Sequence, residues 1–375
     1  MNKLLVLSAA ALACGSIFAA DAKPQVGYVA VEWSAKDGEK WDIGGLADHE
    51  TGREMTKDTI FAIASNTKPI TSVLLLTFVE EGKLSLDDKV SKYFPAYAEL
   101  KYKKKPVSRE LTVRDLVTHL SGLAYDGAAK GRKLDMTPLE EQVEILAKRR
   151  MRNDVGKSWQ YCGAGFSVAG AILEKITGRK VADLMKERIF DPLEMNDTTF
   201  YPSAELLKRA APPYYFPKDG SGPHKFGWRR YTEPLDNPSR TPGLAGGLFS
   251  TVPDYLKFSQ MLVRKGVGLN GKRILSEKTC NEILFVRQTP PGDKKDASFD
   301  IHFTTKDPTY KGVRCGKKGG LYGTCAVWDW ENCRCRIRFI AKSPKPPKGV
   351  KGEIDTSSLD QGASAHIKAT KKSDD

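Results

Sequence analysis

Residues 61–70 read FAIASNTKPI and stand at the head of a dense apolar segment that continues to residue 79. The apolar side chains of that segment cover nearly the whole circumference of a helix: Ile70, Val73, Leu74, Leu75, Leu76, Phe78 and Val79. A helix that is apolar all round is buried on every side. The sequence therefore predicts a buried helix that begins near Ser65 and is ended by Gly82, since glycine readily adopts the backbone conformation with which many helices terminate.

Ser65 and Lys68 are the residues of this segment that can carry chemistry. Residues three apart lie on the same face of a helix, so the hydroxyl and the ammonium group can converge. The helix N-terminus adds backbone N–H groups and a partial positive potential beside the serine. Removal from water favours the neutral amine of a lysine, which can then withdraw the serine proton. The same spacing also fits an N-capping serine followed by a solvated lysine.

The segment around Ser65 resembles the active-site segment of the serine β-lactamase-related superfamily, which includes class C β-lactamases, DD-peptidases and many esterases. Three further blocks are similar to that superfamily and follow in the same order: LTVRDLVTHLSGL at 111–123, DPLEM at 191–195 and GGLFST at 246–251. The resemblance extends from about residue 26 to residue 341. It implies an α/β fold of the α+β type, β-lactamase/transpeptidase-like, with a mainly antiparallel sheet flanked by helices and a helical subdomain. It also implies an acyl-enzyme on Ser65, formed with the help of Lys68 and with no metal or other cofactor.

The second motif of that superfamily is a tyrosine, a variable residue and often an asparagine, and YCG at 161–163 occupies its place. The resemblance implies that Tyr161 is a catalytic general base or proton shuttle whose phenolate form is favoured by neighbouring lysines. A core aromatic side chain is the alternative interpretation. Gly163 stands where asparagine is common, so an amide on the acyl side of a substrate would lose one hydrogen-bonding partner. This departure places β-lactams last among the expected substrates.

The third motif is a lysine or histidine, a variable residue and a glycine on the strand that lines the cleft, and GKKGG at 316–320 fits it. The resemblance implies that Lys317 is the catalytic cation, which would orient a substrate carboxylate and keep Tyr161 ionised. Lys318 takes that role if the register shifts by one residue, and it is otherwise expected to bind substrate. A basic β-turn is the alternative interpretation of the segment.

The resemblance also implies an oxyanion hole made of the backbone N–H groups of Ser65 and Gly320. Gly319 is expected to bind substrate, because glycines allow a ligand to approach a strand closely. His119 is expected to form local hydrogen bonds rather than to catalyse. No GxSxG, HExxH or phosphate-binding loop occurs, which argues against an α/β-hydrolase, a zinc peptidase and a kinase.

The order of predicted elements is strands, helices, strands, which indicates an antiparallel sheet interrupted by a helical insertion. Strands are predicted at residues 26–33, 41–46, 321–329 and 333–341. Helices are predicted at residues 112–120, 139–149, 165–177, 181–189 and 253–263. The catalytic domain is expected at 23–342, with its helical subdomain at about 112–244. Residues 343–375 are rich in lysine, proline and serine and are predicted to form a flexible tail.

Residues 1–22 have the pattern of a secretory signal: Lys3, an apolar run at 4–13 and small residues before ADA at 20–22. The protein is therefore expected to be exported, to the periplasm or the extracellular space. ALACG at 11–15 also resembles a weak lipoprotein signal, so Cys14 is a candidate for lipidation. Contact with a membrane is expected only in that case.

Six cysteines follow the signal, and an oxidising compartment permits disulfides between them. Cys325 and Cys335 would lie nearly opposite each other if residues 329–332 turn a hairpin; free buried thiols are the alternative. The formal net charge of +14 permits attraction to anionic cell-wall or extracellular polymers; solvated, charged surface loops are the alternative and the preferred interpretation. No nucleic-acid-binding motif is recognised, so nucleic acid is not an expected partner.

The sequence thus predicts an exported serine hydrolase whose substrates are small carboxylic esters. A D-amino-acid peptide or amide is the second expected substrate class, and a β-lactam is the third. A non-catalytic binding or scaffold protein on the same fold is the alternative from a different class. Members of the superfamily usually have a helix before the first strand and another after the last, and neither is evident here, so a partner would have to cover the sheet.

Overall fold

The computed structural model describes residues 26–217, 222–228 and 231–342. Its centre is a seven-stranded sheet in which all neighbouring strands are antiparallel. Its strands are β1 (Tyr28–Ser34), β2 (Gly38–Gly44), β3 (Ala297–Ser298), β4 (Ile301–Thr304), β5 (Cys315–Gly319), β6 (Cys325–Asp329) and β7 (Arg334–Ile340). The spatial order is β3-β4-β5-β6-β7-β1-β2. The predicted mainly antiparallel sheet, interrupted in sequence between β2 and β3, is thereby confirmed.

Eight α-helices lie among the described residues: α1 (Thr67–Glu80), α2 (Val113–Val117), α3 (Leu139–Lys148), α4 (Ala164–Thr177), α5 (Val181–Met185), α6 (Ala204–Lys208), α7 (Val252–Val263) and α8 (Glu277–Thr279). Short strands pair outside the main sheet: Leu46–Asp48 with Arg53–Glu54, Phe61–Ala62 with Phe249–Ser250, Lys101–Tyr102 with Lys105–Pro106, and Tyr214–Tyr215 with His224–Lys225. Helix α2 is shorter than predicted, because His119 adopts a φ of 64° that ends the helical path.

Helix α1 is buried along its length except for its last two residues, as its apolar circumference predicts. It contacts α4 and α5, while α7 covers strands β7, β1 and β6. Side chains from these helices and from the inner face of the sheet form one apolar cluster. Gly82, with a φ of 67°, follows the end of α1. The first turn of α1 therefore has a fixed position between the sheet and the helical subdomain.

The predicted turn at 329–332 is confirmed, since Asp329 pairs with Arg334 across β6 and β7. The predicted proximity of Cys325 and Cys335 is wrong. Cys325 pairs with Arg338, whereas Cys335 pairs with Trp328, three residues away along the strand. Successive side chains of a strand point to opposite faces, so the two thiols also lie on different sides of the sheet. All six cysteines in the described residues are free.

The outer face of the sheet carries a row of arginines on β7. Strand β7 alternates three arginines on this face with three core residues on the other: Arg334, Arg336 and Arg338 against Cys335, Ile337 and Phe339. Arg336 forms a buried ion pair with Asp307 at 3.2 Å, and Arg334 pairs with Asp329 at 2.6 Å. Part of the same face is covered by a small apolar cluster of Tyr310, Cys315 and Val327.

The predicted signal at 1–22, the candidate lipidation site Cys14 and the tail at 343–375 lie outside the described residues. Within the described part of the chain, no helix has the length and apolar character that crossing a membrane would require.

Candidate active site

Ser65, Lys68 and Tyr161 meet at the N-terminus of α1. Tyr161 Oη lies 2.7 Å from Ser65 Oγ and 2.6 Å from Lys68 Nζ, and Lys68 Nζ lies 3.3 Å from Ser65 Oγ. Lys68 also donates to the carbonyl oxygen of Ala245 at 2.5 Å, and its side chain is buried. Hydrogen-bond contact among a hydroxyl, a phenol and an amine is the geometry that activation of a nucleophilic serine requires. The structure thus brings together the three side chains that the first two motifs indicate.

Buried hydrogen bonds fix the short turn that carries Ser65. Asn66 donates from Nδ2 to Thr324 Oγ1 at 2.8 Å and accepts from the hydroxyl of Tyr255 at 3.2 Å. Ala64 has a φ of 47°, in the left-handed region that non-glycine residues rarely adopt. Asn66 and Thr324 were not anticipated from the sequence, because their contact spans 258 residues. Together they tie the turn to the hairpin of β5 and β6.

Strand β5 presents Lys318, not Lys317, to the site. The Lys318 side chain is 3% exposed, and its Nζ lies 5.0 Å from the centre of the Tyr161 ring. Lys317 pairs with Val327, which belongs to a separate small apolar cluster together with Cys315. Neighbouring residues of a strand face opposite ways, so only one of the two lysines reaches the cleft. The prediction of Lys317 as the catalytic cation is therefore corrected to Lys318.

The predicted oxyanion donor at Gly320 is also corrected. Its N–H donates to the carbonyl oxygen of Thr324 at 2.7 Å and is occupied by the turn between β5 and β6. Leu321, the next residue, lines the cavity beside Ser65. The N–H of Leu321 is thus the candidate partner for that of Ser65. Gly320 has a packing role, because a Cβ there would lie 2.6 Å from the carbonyl oxygen of Ile63.

His119 and Asp300 form a buried pair behind the site. His119 Nε2 lies 2.7 Å from Asp300 Oδ1, and the His119 ring lies 4.7 Å from the Tyr161 ring. The backbone N–H of Cys162 donates to His119 Nδ1 at 3.1 Å. The expectation of purely local bonds for His119 is therefore wrong. No motif marks Asp300, which lies in the two-residue turn between β3 and β4.

A cavity of about 370 Å³ opens beside Ser65 and reaches residues of the helical subdomain. Gly163 contributes bare backbone to its wall, where a Cβ would lie 3.2 Å from that of Ala245. Arg240 also lines the cavity and forms a buried ion pair with Asp135 at 3.1 Å. The space next to Ser65 therefore has a wall without a side chain at position 163.

The model of the Beta-lactamase family matches residues 22–353. The chain belongs to this family. Its fold is shared with the solved structure of EstCE1, "a hydrolase with promiscuous acyltransferase activity", with a TM-score of 0.69 and 20% identity over 87% of this chain and 92% of that chain. At this level of identity the likeness supports the fold alone.

Two curated relatives in the Beta-lactamase family have named activities. Esterase EstB of Burkholderia gladioli is 36% identical over 184 residues, which are 46% of this chain and 45% of EstB. Teichoic acid D-alanine hydrolase of Staphylococcus aureus is 30% identical over 176 residues, 47% of this chain and 41% of that protein. The chain spans less than two thirds of the length of the curated relatives it matches.

Proposed function

We propose that this chain is an exported serine hydrolase that cleaves carboxylic esters through an acyl-enzyme on Ser65. The observation that carries the proposal is the hydrogen-bonded set of Ser65, Tyr161 and Lys68, with Oη–Oγ and Nζ–Oη distances of 2.7 and 2.6 Å. A solvated lysine and a capping serine would not bury the amine against the serine and the phenol.

The proposed reaction begins when Ser65 Oγ attacks the ester carbonyl carbon and its proton passes to Tyr161 or Lys68. The backbone N–H groups of Ser65 and Leu321 stabilise the oxyanion of the tetrahedral intermediate. The same proton then goes to the leaving alkoxide as the ester bond breaks. Water attacks the acyl-enzyme in the second half, and the released proton returns to Ser65.

Two observations favour an ester over an amide as the substrate. Gly163 offers no side-chain amide to an acyl-amide group, and one curated relative in the family is named as an esterase. A D-amino-acid ester, peptide or amide is the second candidate, supported by the relative named as a D-alanine hydrolase. A β-lactam remains the third.

The test is covalent labelling of the purified mature protein with a fluorophosphonate, read by intact mass, beside the variant Ser65→Ala. We expect one adduct on the wild type and none on the variant, since only an activated hydroxyl reacts at an appreciable rate. Hydrolysis of short-chain aryl esters should be lost in the same variant. A folded wild type that takes up no adduct would contradict the proposal and favour the binding or scaffold alternative.

Export is proposed from the signal pattern at 1–22. The full chain, expressed in a bacterium that has an outer membrane, should be recovered from the periplasm or the medium. Its N-terminus should then lie directly after residue 22. Incorporation of a labelled fatty acid that Cys14→Ser abolishes would instead indicate a lipoprotein. An intact N-terminus in the cytoplasm would contradict both.

A further inference from the structure

Asp300 is a buried carboxylate that the reaction described above does not use. Its Oδ2 lies 2.5 Å from Lys318 Nζ and its Oδ1 lies 2.7 Å from His119 Nε2, and the exposed fractions of the Lys318 and Asp300 side chains are 3% and 0%. Phe299 and Asp300 both adopt positive φ values, 47° and 64°, as the centre of a tight hairpin turn requires. Non-glycine residues rarely adopt this region, so the surrounding contacts hold Asp300 in place.

The carboxylate of Asp300 is ionised. Burial alone would raise the pKa of Asp300, but the ammonium group of Lys318 and the ring of His119 outweigh burial and hold that pKa well below its usual range. An ionised carboxylate only accepts hydrogen bonds, so His119 donates from Nε2 and accepts at Nδ1 from the N–H of Cys162. The Asp300 charge therefore holds both Lys318 and the segment that follows Tyr161.

Lys318 and Asp300 together carry no net charge. The pair is buried, and Lys318 cannot move away from Asp300 without leaving an unpaired carboxylate in the protein interior, which is strongly unfavourable. Lys68 is engaged by Ser65, Tyr161 and Ala245. In the superfamily that this chain resembles, the cation of the third motif is expected to orient a substrate carboxylate. Here that cation already has a carboxylate partner.

We propose that Asp300 is a positioning and specificity-determining residue. Its ion pair with Lys318 keeps that ammonium group from binding a substrate carboxylate, so that the site selects acyl donors with an uncharged leaving group. A carboxylate on the leaving group would have to compete with Asp300 for one ammonium group and would lie close to a like charge. The proposal rests on the proposed function and narrows its substrate class to neutral esters, as opposed to peptides or depsipeptides that end in a carboxylate.

The experiment uses two butyryl esters that differ only in charge, that of 3-hydroxybenzamide and that of 3-hydroxybenzoate. The wild type should show a kcat/KM for the neutral ester about tenfold or more above that for the charged ester, because like charges in a recognition site are costly. Asp300→Asn keeps the shape and an acceptor for His119 but frees Lys318. It should reduce that ratio about tenfold, mainly through a lower KM for the charged ester.

Asp307→Asn is the matched control, because Asp307 is also a buried carboxylate paired with a cation, Arg336, but lies on the outer face of the sheet. Asp307→Asn should lower stability and leave the ratio of the two kcat/KM values unchanged. It therefore separates an effect on specificity from a general loss of stability. An unchanged ratio in folded Asp300→Asn, or an equal change in Asp307→Asn, overturns the role of Asp300. If Asp300→Asn does not fold, the wild-type ratio decides, and a ratio of one or below overturns the proposal.

Failure of the inference is distinguishable from failure of the proposed function. Preference for the charged ester, with Ser65 still labelled by the fluorophosphonate, would reject the inference and leave the serine hydrolase in place. Hydrolysis of neither ester together with an unlabelled Ser65 would reject both.

Discussion

At the scale of single residues, Gly163 limits what the site can accept. Its missing side chain leaves the cavity wall beside Ser65 without an amide, and a Cβ there would lie 3.2 Å from that of Ala245, a contact that a small shift relieves. We expect Gly163→Asn to raise acylation by a penicillin about fivefold relative to ester hydrolysis, since one charge-neutral hydrogen bond is worth about 1 kcal/mol. Gly163→Ala supplies the Cβ without the amide and is the control. The rate of acylation is measured by intact mass and the rate of ester hydrolysis by absorbance. Equal changes in Gly163→Asn and Gly163→Ala would contradict a role for the amide.

At the scale of the element, the alternation of side chains along β5 separates Lys318 from Lys317. Lys318→Gln should lower kcat/KM for an ester about 100-fold, because a cation beside Tyr161 is lost from a site that depends on electrostatic stabilisation. Lys317→Gln removes the same charge one residue earlier, next to Val327 on the outer face, and should retain activity. Thermal unfolding must accompany both measurements, since Lys318→Gln also leaves Asp300 without its ion pair. The reverse order of activities would restore Lys317 as the cleft residue.

At the scale of the whole molecule, stability depends in part on His302, a half-buried side chain packed against Trp159. Burial lowers the pKa of His302, whose ring lies 5.3 Å from that of Trp159, to about 4. In the unfolded chain the pKa of His302 is about 6.5. Between about pH 6.5 and pH 4 the unfolded chain therefore binds more protons at His302 than the folded protein does. The contribution of His302 is therefore complete above about pH 6.5 and is lost as the pH falls to about 4, with a magnitude on the order of 2–3 kcal/mol. The free energy of unfolding can be measured by urea titration at about pH 7.5 and pH 4.5. Its decrease between these pH values should be smaller in His302→Gln than in the wild type. Equal decreases in the two proteins would contradict a lowered pKa of His302.

The sequence by itself determined the features that depend on local spacing. The pair Ser65 and Lys68, three residues apart, and the buried helix α1 follow from helical periodicity. The helix predicted at 253–263 is found as α7, Val252–Val263. The resemblance of ordered motifs added the fold and Tyr161, because the superfamily keeps these blocks in a fixed order.

Only the tertiary structure decided which groups actually face Ser65. The choice of Lys318 over Lys317, the occupied N–H of Gly320 and the separation of Cys325 from Cys335 all depend on strand register, and a shift of one residue moves every side chain to the other face. Asp300 reaches His119 across 181 residues of sequence. No local pattern encodes such a contact, because it exists only after the sheet and the helical subdomain have packed against each other.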